Sequence, residues 1–139
     1  MSHQPFRFDD LRTGPLPTSG TLTITEEQLA TFVAVTGERH PLHLHDDARP
    51  GVIPAGMLHS VCAGAMIRTH GPWDVAGLRR MRWHFVEPIR TGEKFLVESE
   101  IRALEPVTPT LGLVTLHRKI TCPSGETLAQ ATIEIAVHR

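Results

Sequence analysis

The segment from Pro54 to Gly71 most constrains how this chain can fold. It reads PAGMLHSVCAGAMIRTHG, is rich in Ala, Gly, Cys, Met and Leu, and contains no Asp or Glu. Its length corresponds to about four helical turns, and apolar residues occupy most sides of that helix. A helix of this kind must be buried, and its small residues allow close backbone approach. We therefore predict a central helix that other elements surround.

Four segments after this helix have the alternating character of β-strands. They cover residues 78–89, 93–105, 111–122 and 126–139, and Gly or Pro turns separate them. This alternation, in consecutive segments, predicts a meandering antiparallel sheet. Strands grouped after helices indicate the α+β class, with the sheet wrapped around the helix. We expect one domain, residues 1–139, with a core that needs no metal or disulfide.

A shorter amphipathic helix is predicted upstream, over residues 26–36, after a short strand near residues 20–24. Thr25 followed by Gln28 three positions later is a capping box, which satisfies free amides at the start of a helix. Gly37 then ends the helix. The proline-containing residues that follow cannot continue it and form a shaped loop between the two helices.

That loop begins with TGERHPLHLHDD, residues 36–47, which concentrates three histidines and three acidic residues. A His close to a carboxylate can act as a general acid at neutral pH, so Glu38 and His43 are candidates for an acid/base pair. His40 either shapes the same pocket or is an ordinary loop residue. We interpret His45 and the two aspartates after it as solvated or structural.

A metal site is the main alternative for these histidines. His43 and His45, followed by His59, match part of a cupin metal motif, and three His ligands with a carboxylate would suit zinc, iron or nickel. However, the glutamate of that motif is missing. Only thirteen residues separate His45 from His59, too few for the strands that a cupin needs there. We therefore predict no metal.

Charge, cysteine content and the N-terminus argue against several classes of function. Lys and Arg number 14 against 15 Asp and Glu, so nothing at whole-chain level recruits nucleic acid or an anionic membrane. Cys62 and Cys122 lie far apart and form no CxxC pair, which indicates a reducing compartment. Neither a signal peptide nor an apolar stretch of about 18 residues is present. We expect a cytoplasmic protein that acts on a small molecule.

Three stretches, in this order, resemble the MaoC-like hotdog family of (R)-specific enoyl-CoA hydratases and dehydratases. FVAVTGERHPLHLHDD is similar to the hydratase motif, VIPAGMLHS to the opening of the central helix, and RWHFVEPIRTGEKFLVESEI to the phenylalanine strand. The resemblance covers residues 25–104. It implies a hotdog fold, an antiparallel sheet wrapped around a central helix. It also implies a homodimer, or a dimer with a related subunit, whose interface lies near the site.

The resemblance also implies roles for individual residues. The family's catalytic aspartate falls on Glu38, its histidine on His43, and its asparagine on His40, which would shape the pocket. The backbone amide that binds the thioester oxygen falls on Gly56. This role is physically sound, because an amide at a helix N-terminus is a free donor at the positive end of the helix dipole.

Besides His40, three positions depart from the family pattern. A carboxylate one methylene longer stands at Glu38, and Ala55 replaces the family's histidine before Gly56 and Met57, which complete the substrate-binding stretch. The serine that some members carry further along the helix falls on Gly64. A displacement of about 1 Å at a catalytic group can cost about a hundredfold in rate, so these changes bear on activity.

The activity implied is that of a lyase, which hydrates 2-enoyl thioesters or dehydrates 3-hydroxyacyl thioesters. Coenzyme A or the phosphopantetheine of an acyl-carrier protein would carry the acyl group, and no metal or redox cofactor is required. Two alternatives stay open. One is a hotdog thioesterase, in which a carboxylate activates water against the carbonyl carbon. The other is a catalytically degenerate subunit that binds an acyl group or stabilises an active partner.

Other side chains allow a functional and a structural interpretation. The pair Cys62 and His59 could be a nucleophile and base, although a buried Cys is more often a small hydrophobe. The cluster of Arg79, Arg80 and Arg82 near His84 is either a solvated strand edge or a site for coenzyme A phosphates. The two tryptophans, Trp73 and Trp83, are expected in the core or at a subunit interface.

Overall fold

The computed structural model describes residues 4–44 and 49–139. These residues form two α-helices and six strands, together with single 3₁₀ turns at Phe8–Asp10 and Pro41–His43. The helices are α1 (Glu26–Thr36) and α2 (Ala55–His70), and the strands are β1 (Gly14–Pro15), β2 (Leu22–Thr23), β3 (Val75–Phe85), β4 (Lys94–Pro106), β5 (Leu111–Thr121) and β6 (Thr127–His138). Neither helix has both the length and the apolar character that crossing a bilayer requires.

The sheet is antiparallel, in the order β1-β4-β5-β6-β3, and β2 also pairs with β4. The strands β4, β5 and β6 form the predicted meander. The strand β3, which precedes them in sequence, pairs with β6 alone and lies at the edge of the sheet. It begins at Val75, earlier than the predicted residue 78. Its pairing with β6 is irregular around Gly77, so the sequence there lacks the regular alternation that would have predicted a strand.

The helix α1 begins and ends as predicted. The Oγ1 of Thr25 accepts the Gln28 N–H at 3.1 Å, and the Gln28 side chain accepts the Thr25 N–H at 2.9 Å. Gly37 ends the helix with a positive φ of 74°, which glycine adopts without strain. Leu29 and Val33 are the buried residues of its inner face.

The helix α2 lies against the sheet, as the prediction of a sheet around a central helix requires. Its buried residues pack on the inner faces of β4, β5 and β6 in one cluster that includes Met57, Leu58, Cys62, Met66, Phe95, Val97, Ile120 and Ala129. The expectation that this helix is surrounded is wrong for its outer face. Ile67 is 53% exposed, and Ser60 and Arg68 are also exposed, because the sheet of one chain covers only one side of the helix.

Candidate active site at the start of the central helix

The described residues of the loop between the helices include a 3₁₀ turn, Pro41–His43. Proline at its first position fixes the backbone angle that such a turn requires. The Nδ1 of His40 accepts the Leu42 N–H at 3.1 Å, so the side chain of His40 caps the turn. The capped turn therefore fixes the backbone position of His43.

Gly51 and Val52 hold this turn against the start of α2. The Val52 N–H donates to the Leu42 carbonyl at 2.9 Å, and Nδ1 of His43 lies 2.6 Å from the Val52 carbonyl oxygen. A Cβ on Gly51 would lie 2.6 Å from the His43 carbonyl oxygen, closer than side-chain carbons approach. Gly51 is therefore required for the close approach that positions His43. In the sequence, Gly51 is recognisable only as part of a Pro-Gly pair that ends a loop.

The other side of this segment is fixed by the turn before β4. The Ile53 N–H donates to the Ile89 carbonyl at 2.8 Å, and the Thr91 N–H donates to the Gly51 carbonyl at 3.0 Å. The Nη1 of Arg90 donates to the Pro50 carbonyl at 2.8 Å. The histidine turn is consequently anchored through residues 50–53 to the body of the protein rather than held by the loop alone.

The contact with Val52 determines which nitrogen of His43 is available for chemistry. A carbonyl oxygen only accepts, so Nδ1 must carry a proton and donate it. Nε2 is then either an acceptor, in the neutral ring, or a second donor, in the imidazolium. The ring is half-buried and lines a cleft of about 320 Å³. His43 can therefore accept or deliver a proton at one defined atom.

The cleft beside His43 is mostly apolar. Ala55 contributes to the same cleft, together with Leu42, Leu58, Phe85 and Ile89. Glu87 supplies a carboxylate to the lining, at an exposed position. An apolar cleft with a few polar groups is the usual form of a small-molecule site.

The start of α2 supplies free hydrogen-bond donors next to this cleft. Pro54 is the N-cap and offers no side-chain acceptor, and the first helical bond is the Leu58 N–H to the Pro54 carbonyl at 3.0 Å. Among the described contacts, the amides of Ala55, Gly56 and Met57 have no acceptor. Gly56 is exposed, and the nearest atom to a Cβ placed there is a Phe32 carbon at 3.9 Å. The backbone of Gly56 is therefore accessible, and its amide has no described acceptor.

The predicted site residues are brought together only in part. His43 and Ala55 share the cleft, whereas Gly56, the next residue of α2, is not among its lining residues. Glu38 is exposed just beyond the end of α1, and within residues 4–44 and 49–139 its carboxylate makes no hydrogen bond or ion pair. His40 is also exposed, with its ring centroid 6.3 Å from that of His43. Met57 is buried and lines a separate groove on the opposite side of α2.

No three described His, Cys, Asp or Glu side chains converge as a metal site would require. His45, with Asp46 and Asp47, lies outside the described residues, and the partial cupin motif includes His45. His59 lies in α2, as the helical pattern predicted, and its pKa is lowered by burial and then by the charge of Arg118.

Two further groups singled out in the sequence have clear environments. Cys62 is fully buried on the inner face of α2, and burial raises the pKa of its thiol to about 11, which disfavours a nucleophilic role. Arg80 forms a partly exposed ion pair with Glu134 at 3.5 Å. Arg79 and Arg82 are exposed on the edge strand β3.

Comparison with known proteins identifies the fold. No family model and no curated protein matches the sequence. A monoamine oxidase regulatory protein from Archaeoglobus fulgius is 18% identical, with a TM-score of 0.83 over 100% of this chain and 98% of that one. A MaoC-like dehydratase from Rhodospirillum rubrum is 18% identical, with a TM-score of 0.75 over 96% and 97% of the two chains. Rv0216 from Mycobacterium tuberculosis, which has a double hotdog fold, is 17% identical, with a TM-score of 0.82 over 96% of this chain and 44% of that one.

These likenesses confirm the predicted hotdog fold, in the form seen in MaoC-like proteins. Because every identity is below a fifth, they establish architecture rather than activity.

Proposed function

We propose that this chain is a hydratase or dehydratase of 2-enoyl and 3-hydroxyacyl thioesters. The single observation that carries the proposal is the contact between His43 Nδ1 and the Val52 carbonyl, beside the free amides that open α2. It fixes Nδ1 as the protonated nitrogen of a histidine that lines an apolar cleft, which leaves Nε2 for proton transfer near possible oxyanion donors. The likeness to a MaoC-like dehydratase supports the same class of chemistry.

In the hydration direction, Glu38 takes a proton from a water molecule, whose oxygen bonds to the β-carbon of the enoyl group. The electron pair of the double bond moves to the thioester oxygen, and the Gly56 amide stabilises the resulting enolate. Protonated His43 then delivers a proton from Nε2 to the α-carbon, and the proton held by Glu38 restores His43. Dehydration is the reverse sequence. The exposed carboxylate of Glu38 must rotate toward the cleft when substrate binds.

The acyl group would occupy the apolar cleft, with Ala55 and Leu58 as its wall. Coenzyme A or phosphopantetheine remains outside as the carrier. The exposed Arg79 and Arg82 are suitable for its phosphates, since guanidinium groups bind phosphate through paired charged hydrogen bonds. The reaction as written needs no metal and no redox cofactor.

A dimer is part of this proposal. The edge strand β3 pairs on one side only and exposes several large apolar side chains, among them Val75, Leu78, Met81 and Phe85. A long apolar edge of this kind invites pairing with another strand. We expect the edge of a second copy, or of a related subunit, to cover it. The cleft lies close to this interface, because Phe85 belongs to both.

The decisive experiment follows hydration of crotonyl-CoA and longer 2-enoyl-CoAs by loss of enone absorbance, with free thiol measured in the same reaction. We expect enone loss without thiol release, and a fall of about 100-fold or more in kcat for His43→Gln and Glu38→Gln. The matched controls are His117→Gln, on the outer face of the sheet, and Glu27→Gln, exposed on α1. Both should retain the wild-type rate.

Two other outcomes would replace the proposal. Thiol release would indicate a thioesterase, for which Glu87 is the carboxylate already lining the cleft. Absence of turnover alone, with activity after co-purification with a related subunit, would indicate a degenerate partner. The carboxylate of Glu38 has no partner among the described residues, and this observation favours the degenerate partner.

A further inference from the structure

A second pocket lies beneath the C-terminal half of α2, in a region that the proposed reaction does not use. Its volume is about 160 Å³. The walls are largely apolar and include Met66, Trp73, Leu116 and Ile135, and the exposed Ile67 and Val75 border its mouth. Two polar side chains, His70 and Arg118, also line it.

Arg118 is an unusual residue for this position. It lies on the inner face of β5 between Leu116 and Ile120, opposite Ser99 of β4, and is only 5% exposed. Its one described hydrogen bond is a long contact of 3.4 Å from Nε to the Ser99 hydroxyl. No described carboxylate forms an ion pair with it. A buried guanidinium normally has such a partner, because removing its charge from water is costly.

The surroundings of Arg118 do not supply the missing negative charge. Cys62 is the neighbouring group that could become an anion, but burial raises the pKa of its thiol to about 11, so it is neutral at pH 7. Three nearby buried nitrogens have no hydrogen-bond partner: Nδ1 of His59, Nε2 of His70 and Nε1 of Trp83. The indole nitrogen of Trp83 is a donor and the two imidazole nitrogens can donate or accept, so the interior around Arg118 contains a buried cation and polar nitrogens without described partners.

We propose that this pocket binds the carboxylate of a short-chain organic acid, with its oxygens against Arg118 and His70 and its chain along Met66, Trp73 and Ile135. A carboxylate would supply the charge that Arg118 lacks and accept from its planar fork of donors. The charge of the carboxylate would favour a proton on His70 Nε2, which has no partner among the described residues, and that proton would add a hydrogen bond. The volume equals that of about five water molecules in the liquid, which suits a short chain rather than a long one.

Two sources can supply such a group. One is a free acid, which would make the pocket a separate ligand site. The other is the terminal carboxylate of an acyl group whose thioester lies at the start of α2, and this version rests on the proposed function. Ala55 and Ala63 are eight residues apart along α2, or about 12 Å, so a dicarboxylic acyl chain of moderate length would be needed.

The test measures binding of sodium butanoate to the wild-type protein, with butanamide as an uncharged molecule of nearly the same shape. We expect butanoate, and not butanamide, to raise Tm with increasing concentration. The Arg118→Met variant should bind butanoate about 10- to 100-fold more weakly, the effect of losing a charged hydrogen-bond partner. Equal effects of the two ligands, or unchanged butanoate binding by R118M, would overturn the proposal.

A second measurement needs only the wild-type chain, in case R118M folds poorly. The indole resonances of Trp73 and Trp83 are assigned with a Trp83→Phe variant. Butanoate should shift Trp73, which lines the pocket, at the same concentrations that raise Tm. No shift at Trp73 at saturating butanoate would contradict the assignment of this pocket.

The source of the carboxylate is decided by comparing two ten-carbon substrates, 2-decenedioyl-CoA, whose chain can span about 12 Å, and 2-decenoyl-CoA. A higher kcat/KM for 2-decenedioyl-CoA, lost in R118M, would assign the pocket to the substrate's own terminal carboxylate. Butanoate binding without that preference would assign it to a free acid. Because binding is measured without turnover, failure of the proposed reaction and failure of this pocket are separate results.

Discussion

The two helices of this protein begin in opposite ways. At α1, the Thr25 and Gln28 side chains accept from each other's backbone amides, so two amides of the helix start have side-chain partners. At α2, the N-cap is Pro54, which offers no side-chain acceptor, and the next three amides have no described partner. A helix start without a cap is less stable by about 1 kcal/mol.

The two helix starts therefore have different proposed roles, one in folding and one in ligand binding. The start of α1 is closed, and its capping supports the fold. The start of α2 is open, lies beside the cleft of His43, and keeps donors free for a ligand. Three substitutions test this contrast.

The largest effect is expected from Gly51→Ala, which breaks the alignment of the histidine turn with the open helix start. The new methyl group would lie 2.6 Å from the His43 carbonyl oxygen, so the turn must move. If His43 has its proposed catalytic role, a displacement of about 1 Å should lower kcat about 100-fold. Gly20→Ala is the control, since nothing lies within 4 Å of a Cβ there. Equal activity of the two variants in the crotonyl-CoA assay would show that the turn does not position a catalytic group.

The second substitution, Pro54→Ser, makes the start of α2 resemble that of α1. The backbone at this position is already extended, as an N-cap requires, so the serine oxygen would accept from the Gly56 or Met57 amide. Competition for these donors should lower kcat about tenfold, less than the roughly 100-fold typical of removing an oxyanion donor.

Pro54→Ala loses the same ring but adds no acceptor, and it serves as the matched control. A loss of activity in the alanine variant equal to that in the serine variant would mean that the free amides have no role in turnover.

The smallest effect is expected at α1. Thr25→Ala removes the cap and should lower the free energy of unfolding by about 1 kcal/mol, or Tm by roughly 4 °C, as read by thermal unfolding. The kcat for crotonyl-CoA should not change, because the closed helix start has no part in the reaction. Thr25→Ser keeps the oxygen and should restore Tm. A fall in kcat would show that the two helix starts are not independent.

Local patterns were sufficient to predict much of the fold. The capping residues of α1 and the small apolar residues of α2 predicted both helices, and period-two alternation predicted four strands. The hotdog arrangement itself came from a resemblance over three motifs. The N-terminal strand β1 was not predicted, because its two residues carry no period and depend on pairing with β4.

The candidate site was less predictable for physical reasons. His43 could be singled out by its motif, but its orientation depends on a carbonyl nine residues away, at Val52. The requirement for Gly51 is a steric contact that no local pattern contains. Arg118 did leave a signal, since it shares its strand face with Leu116 and Ile120. A charged residue in the middle of an apolar face marks an interior polar site or an irregular strand.

The position of β3 in the sheet also determines the order in which the molecule can assemble. Short turns connect β4, β5 and β6, so these strands can pair with little loss of chain entropy. The strand β3 must instead find β6 across the whole meander, with Phe85 pairing to Ala129 and Val75 to Val137. Closing so long a loop is slow. We expect refolding in two phases, in which Arg118 stays hydrated on the open meander until β3 and α2 dock and expel its water.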